Sequence, residues 1–306
     1  MSVMRSWRGV VAAVAALGVV GSGCSPEPPT ARPDQTGPQR YVSLGDSSAS
    51  GPLTGPLVGP LGCARSSTNF PHRVAAAIGA QTFVDVSCGS AVLSDLTEPQ
   101  HAGVMEIWGG EVPPQLDAVT PDTDLITIAM SGNDVGLPDV VLNCINVLPV
   151  PLGPAPFGQS CIPKYVVDGV DRFSEAVDAV RPKYLAALGE IQRRAPRARI
   201  FVIDYMAAVP QGDQGCWPIV PALPGDLVYI RTKLEQMNRM IQDVATEAGV
   251  GFIDIYGPSQ GHDMCADGNT RWMNSYLFDS PGFVAHANAL GHQAFARIVA
   301  DAVRAK

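Results

Sequence analysis

Residues 45–51 read "GDSSASG" and follow the apolar run "YVSLG" without a break. Open parallel sheets place ligands at the carboxyl ends of their strands, so Ser47 stands where a nucleophile could attack. A serine hydroxyl is a weak nucleophile near neutral pH until a base removes its proton, and imidazole titrates in that range. A serine-rich turn after a strand also fits a helix cap. The chemistry therefore depends on whether other segments supply a histidine base and donors for a developing oxyanion.

The elements that must hold such groups are legible as alternating patterns. Strand-like runs occur at 41–45, 82–87, 125–130, 200–205 and 251–255, with helical patterns at 70–79, 112–119, 168–195, 226–248 and 288–304. Near-continuous apolar strands alternating with helices indicate a parallel sheet covered on both faces. The expected architecture is a single three-layer α/β/α domain with a flavodoxin-like parallel five-stranded sheet, over residues 40–306. The proline-rich "LPVPLGPAPFGQSCIP" (148–163) reads as an irregular surface excursion and a candidate rim for a pocket.

With 306 residues, 46% hydrophobic and 16% charged, the chain has ample material for a core. A net charge of −8 and the lack of a Lys/Arg cluster exclude a nucleic-acid footprint. Arg5 and Arg8 precede the apolar run Gly9–Val20, which is too short to span a bilayer and reads as a signal peptide over residues 1–23. Cys24 then sits where a lipidated cysteine would follow the signal. The proline-rich 24–39 reads as a tether. Export, to the medium or to the outer face of the cell membrane, is the expectation.

The remaining cysteines, Cys63, Cys88, Cys144, Cys161, Cys216 and Cys265, suggest three disulfides in an exported chain, with their pairing left open by spacing. No CxxC occurs, which argues against a zinc or iron–sulfur site. No metal or organic cofactor is expected, and a monomer is.

"GDSSASG" resembles the first block of the GDSL, or SGNH, hydrolases, a family of serine esterases and lipases, and the resemblance extends through further blocks in order. "DVSCGSAVLSDL" (85–96) is similar to the second, "SGND" (131–134) to the third with Ser131 in place of a leading glycine, and "GFVAHANALGH" (282–292) to the last, with Ala287 in place of proline. The resemblance implies Ser47 as nucleophile and His286 as base. It implies an oxyanion hole from the N–H groups of Ser47 and Ser90, or Gly89 after a one-residue shift, with the side-chain amide of Asn133. His72, His101, His262 and His292 are read as structural.

The family usually carries Asp three residues before the histidine, where this chain has Phe283. Resemblance to members that use a main-chain carbonyl implies that the Phe283 carbonyl accepts from His286 Nδ1–H. Asp279 is the alternative if its turn folds back.

"GHDMCADGNTRWMNSY" (261–276) is similar to a stretch of secreted actinobacterial lipases and esterases, which implies consecutive pairing: Cys63–Cys88, Cys144–Cys161 and Cys216–Cys265. The expected activity is hydrolysis of carboxylic esters through an acyl-enzyme, with a lipid-like substrate mildly preferred. Leu53, Leu57, Val58, Leu61 and Leu137 are candidate acyl-pocket residues. The alternatives are a carbohydrate O-acetyl esterase of the same fold and a non-catalytic lipoprotein binding module.

Overall fold

Five short apolar strands build the centre of the computed structural model, which describes residues 37–102, 109–146 and 158–305. They are β1 (Arg40–Gly45), β2 (Thr82–Asp85), β3 (Leu125–Ala129), β4 (Arg199–Ile203) and β5 (Gly251–Ile253). All pairings are parallel, in the order β2-β1-β3-β4-β5. Every residue of β3 and four of five in β4 are buried, as strands covered on both faces must be. This is the expected flavodoxin-like α/β/α domain.

The covering helices are α1 (Ser47–Ser50), α2 (Phe70–Ile78), α3 (Leu137–Cys144), α4 (Arg172–Arg194), α5 (Pro224–Glu247) and α6 (Ala289–Ala305). α2 packs with α6, and α4 with α5. Each presents an apolar stripe inward, such as Phe173, Val177, Val180, Tyr184, Leu188 and Ile191 of α4. One expected helix is absent. Residues 112–119 make only a 3₁₀ turn, Gln115–Ala118, because Val112 and Pro113 each precede a proline, as Thr120 precedes Pro121, and a residue before proline is pushed out of the α region.

The strand register fixes the functional edge. Gly45 is level with Ala129, and Ile128 with Val202, so the carboxyl ends of β1, β3 and β4 open side by side. A Cβ on Gly45 would stand 2.7 Å from both the Ala129 oxygen and the Ala49 Cβ, so glycine here lets α1 turn tightly off the strand. The Gln115 side chain grips the same residue, accepting from Gly45 N–H at 2.9 Å and donating to its carbonyl at 2.9 Å.

All three cysteine pairs form as expected, with Cα–Cα separations of 4.2 Å for Cys63–Cys88, 4.8 Å for Cys144–Cys161 and 5.6 Å for Cys216–Cys265. The signal segment, Cys24, the tether up to residue 36 and the middle of the proline-rich excursion, 147–157, lie outside the described residues. No described helix is long and apolar enough to cross a membrane.

Candidate active site

Ser47 is the first residue of α1, and Asp46 before it is the N-cap, its Oδ1 accepting from Ser48 N–H at 2.8 Å. The capping role thus falls on Asp46, the residue before the candidate nucleophile. Ser47 Oγ lies 2.8 Å from His286 Nε2, within reach for direct proton transfer.

His286 belongs to an irregular loop held by side chains. Its Nδ1 lies 2.9 Å from the Val284 carbonyl, to which Nδ1–H donates, leaving Nε2 as the acceptor that faces Ser47. The expected partner was one residue earlier. The Phe283 carbonyl instead accepts from the His286 main-chain N–H at 3.3 Å and from Asn274 Nδ2 at 3.2 Å. The physical reason is Ala285, whose φ of +56° turns the chain so that the Val284 oxygen faces the ring. Asp279 is not the partner either, because it pairs with the buried guanidinium of Arg271. Burial lowers the His286 pKa below its ordinary 6.5, and the bond to Val284 partly opposes this.

The third block sits across the cleft. Asn133 Nδ2 donates one proton to the Ala91 carbonyl at 2.9 Å, which aims the amide and leaves its second proton available. Asp134 accepts from Leu93 N–H at 3.1 Å, so the third block is tied twice to the second. Gly89 N–H is occupied by the Cys63 carbonyl at 3.0 Å, which removes it as an oxyanion donor. Ser90, exposed and at φ +63°, has no acceptor for its N–H among the described residues. Neither Gly89 nor Ser90 lines the cavity.

That cavity, about 180 Å³, is bounded by Ser47, Asn133 and His286 at its polar end. Leu137, Val141, Met206, Ile230, Met273 and Phe283 form apolar wall. Of the five expected pocket residues only Leu137 contributes. Leu53 and Leu61 are exposed, and Leu57 and Val58 lie on a loop folded on itself, with Leu57 bridged to Ser66 and Val58 N–H bonded to the Arg65 carbonyl at 2.9 Å. Leu53, Leu57, Val58 and Leu61 point elsewhere because that loop pairs internally instead of folding over the cleft.

Two features escaped sequence reasoning. Tyr205, two residues beyond β4, donates its hydroxyl proton to Asp46 Oδ2 and accepts from Gly132 N–H at 2.8 Å. Burial and the Asp46 charge push the phenol well above its ordinary pKa, so it stays a donor. Burial raises the Asp46 pKa to about 6 although Tyr205 and Ser48 stabilise its charge. Asn274, the second feature, donates to the Pro281 and Phe283 carbonyls at 3.2 Å each and accepts from the Ser280 hydroxyl. A polar residue just past a central strand, and the Asn of the Trp-x-Asn stretch, were the available signals.

The other histidines lie outside the pair. His292 Nδ1 accepts from Phe70 N–H at 3.2 Å at the start of α2, and burial, with Arg73 nearby, lowers its pKa to about 3. His72 contacts Asn69 Oδ1 at 2.8 Å, His262 stacks on Trp272, and His101 is exposed. Among the described residues, no three His, Cys, Asp or Glu side chains converge as metal ligands do.

A serine–imidazole pair at the carboxyl edge of a parallel α/β/α sheet, facing amide donors, is an arrangement for acyl transfer. The family comparison agrees: residues 43–294 match the model of the GDSL-like Lipase/Acylhydrolase family. The chain is 33% identical over 298 residues to Lipase 2 of Streptomyces coelicolor, covering 96% of each chain. It is 25% identical over 244 residues to an esterase of Streptomyces scabiei, covering 72% of this chain and 70% of that protein. The chain belongs to the GDSL-like lipase/acylhydrolase family, whose members hydrolyse carboxylic esters.

Two solved structures share the fold with a TM-score of 0.67 each. Phospholipase A1 from Streptomyces albidoflavus NA297 is 21% identical, with 86% of this chain and 98% of that chain covered. The extracellular lipase from Streptomyces rimosus is 22% identical, with 86% and 99% covered.

Proposed function

We propose that the protein is an exported serine esterase or lipase that cleaves carboxylic esters through an acyl-enzyme on Ser47. The observation that carries this reading is the 2.8 Å contact between Ser47 Oγ and His286 Nε2 at the polar end of an apolar cavity. As Ser47 Oγ attacks the ester carbonyl carbon, its proton passes to His286 Nε2. The carbonyl π electrons move to oxygen, which the N–H group of Ser47 and the free amide proton of Asn133 stabilise. The N–H of Ser90, outside the cavity lining and without an acceptor among the described residues, is the third candidate donor. Collapse expels the alkoxide, which takes the proton from the imidazolium. Water then repeats the sequence on the acyl-enzyme and releases the acid.

Val284 holds the imidazole in the productive tautomer but contributes no full negative charge, so the dyad has a weaker base than a carboxylate-supported triad. The acyl chain would lie along the Leu137, Val141 and Ile230 wall. A lipid-like ester fits this lining and the exposed apolar side chains nearby: Leu142, which lines the cavity and is 66% exposed, and Phe278, 77% exposed on the loop that carries His286. Three disulfides and the signal-like N-terminus support export, and Cys24 is the candidate site for a lipid anchor ahead of the tether over residues 24–39. On this reading the catalytic domain spans residues 40–306.

Hydrolysis of p-nitrophenyl esters from acetate to palmitate, by the disulfide-intact protein beside Ser47→Ala, tests the reading. The expected result is activity reduced at least about 10⁴-fold by the substitution, with longer chains preferred over acetate. Activity retained by Ser47→Ala would refute the nucleophile, and a preference confined to acetate would favour sugar-type acetyl esters over lipids.

A further inference from the structure

The reaction as described leaves unexplained a phenol and a carboxylate placed between its two sides. Ser47 and Asn133 follow β1 and β3, which pair as far as Gly45 and Ala129 and then by one further bond, Asp46 N–H to the Ala129 carbonyl at 3.0 Å. Beyond that the segments diverge. Ser47 begins α1, while Ser131 turns the other way at φ +114°. Main-chain pairing therefore does not set how far the nucleophile stands from the Asn133 amide.

We propose that Tyr205 is a positioning residue for the ester hydrolysis. Its hydroxyl ties the nucleophile segment, through Asp46, to the oxyanion segment, through Gly132 N–H, and so fixes Ser47 against Asn133. This rests on the catalytic reading above.

Three observations support it. The bridge touches the immediate sequence neighbour of each functional residue, Asp46 before Ser47 and Gly132 before Asn133. The tyrosine is itself held from behind, since its main-chain N–H donates to Asn238 Oδ1 at 3.1 Å and its carbonyl accepts from Asn238 Nδ2 at 2.7 Å. Glycine at 132 also lets the ring approach closely: a Cβ there would stand 3.0 Å from Tyr205 Cε1 and 3.1 Å from its oxygen, so the ring would have to give by a few tenths of an ångström. Such doubly anchored contacts are what hold reacting groups to the tolerance that acyl transfer needs.

Two variants test the bridge. Tyr205→Phe keeps the ring and deletes the hydroxyl. Gly132→Ala keeps the hydroxyl and pushes the ring away, with a main-chain conformation that alanine tolerates. Loss of a whole oxyanion donor costs about 10²–10³ in rate, so displacement of one should cost about 10–100-fold in kcat. KM for p-nitrophenyl butyrate should stay within about twofold, and fluorophosphonate labelling should slow in parallel.

The pH profile adds a readout that structural support alone would not move. Asp46 faces Tyr205, Ser48, Asp134 and Tyr184. Without the phenol proton its carboxyl is less stabilised as an anion, so any contribution it makes to the acid limb of kcat/KM moves to higher pH in Tyr205→Phe. Lower thermal stability with unchanged kcat in Tyr205→Phe would overturn the inference and leave the tyrosine a structural brace. If Tyr205→Phe does not fold, Gly132→Ala decides alone, and wild-type kcat there overturns the inference. An inactive Ser47→Ala beside an unaffected Tyr205→Phe would separate failure of this inference from failure of the catalytic reading.

Discussion

Ser47 and His286 reach one hydrogen bond from unlike surroundings. Ser47 is placed by the sheet: β1 is paired on both sides, Gly45 is gripped by Gln115, and buried Asp46 caps α1. His286 is placed by a loop with almost no regular structure, where main-chain links to residue 274 and the Asn274 and Arg271 side chains replace a ladder. Position on the serine side comes from cooperative packing, in which many weak contacts share the load. On the histidine side it comes from a few polar contacts, each replaceable singly. The serine side should resist local change and fail globally, whereas the histidine side should fail locally.

Among changes that leave the dyad untouched, the largest effect should come from Asn133→Ala, which removes the proposed oxyanion donor. Steady-state kinetics should show kcat lower by about 10²–10³ with little change in KM. A loss below about threefold would remove Asn133 from the mechanism.

Next is the histidine loop. Asn274→Ala deletes contacts to Pro281, Phe283 and Ser280, each worth about 1 kcal/mol net. Amide exchange in residues 276–286 should accelerate and kcat fall about tenfold, while protection of β1 and β3 stays unchanged. Loss of protection across the whole sheet would erase the contrast between the two sides.

The pH dependence sharpens the same contrast. The base must be neutral to accept the Ser47 proton, and burial disfavours the imidazolium, so its pKa lies below 6.5. The acid limb of kcat/KM should therefore have its midpoint below pH 6.5. Asp279→Asn should leave that midpoint in place and change kcat less than about threefold while lowering the melting temperature, because it weakens the charge partner of buried Arg271. A large rate loss would restore Asp279 as a catalytic partner.

The smallest effect concerns Ser131, buried, at φ +114°, with no partner for its hydroxyl among the described residues. Ser131→Gly relieves that strain and should stabilise the protein by about 1 kcal/mol in denaturant unfolding.

The same division governs what was legible in the sequence. The five strands and four longer helices were readable because burial on both faces leaves near-continuous apolar runs in strands, and burial of one face leaves a 3.6-residue period in helices. Ser47, Asn133 and His286 were readable because they stand in blocks that resemble, in order, those of the GDSL family; the chemistry alone fixes no chain order. The Val284 carbonyl was not, since any residue carries a carbonyl and a single turn at Ala285 decides which one faces the ring. Tyr205, Gln115 and Asn238 act across long separations in sequence, where only the folded register brings them to their partners. The missing helix at 112–119 shows the reverse case, an apolar pattern overruled by Pro113 and Pro114.

The most direct test of the Ser47–His286 dyad is labelling of the disulfide-intact protein with a fluorophosphonate, with the adduct mapped by peptide mass spectrometry, beside His286→Ala. The account predicts a single phosphonylated residue, Ser47, with labelling slowed by at least about 10²-fold in the variant. An adduct on Ser90 or Ser131 with Ser47 unmodified, or undiminished labelling of His286→Ala, would contradict it.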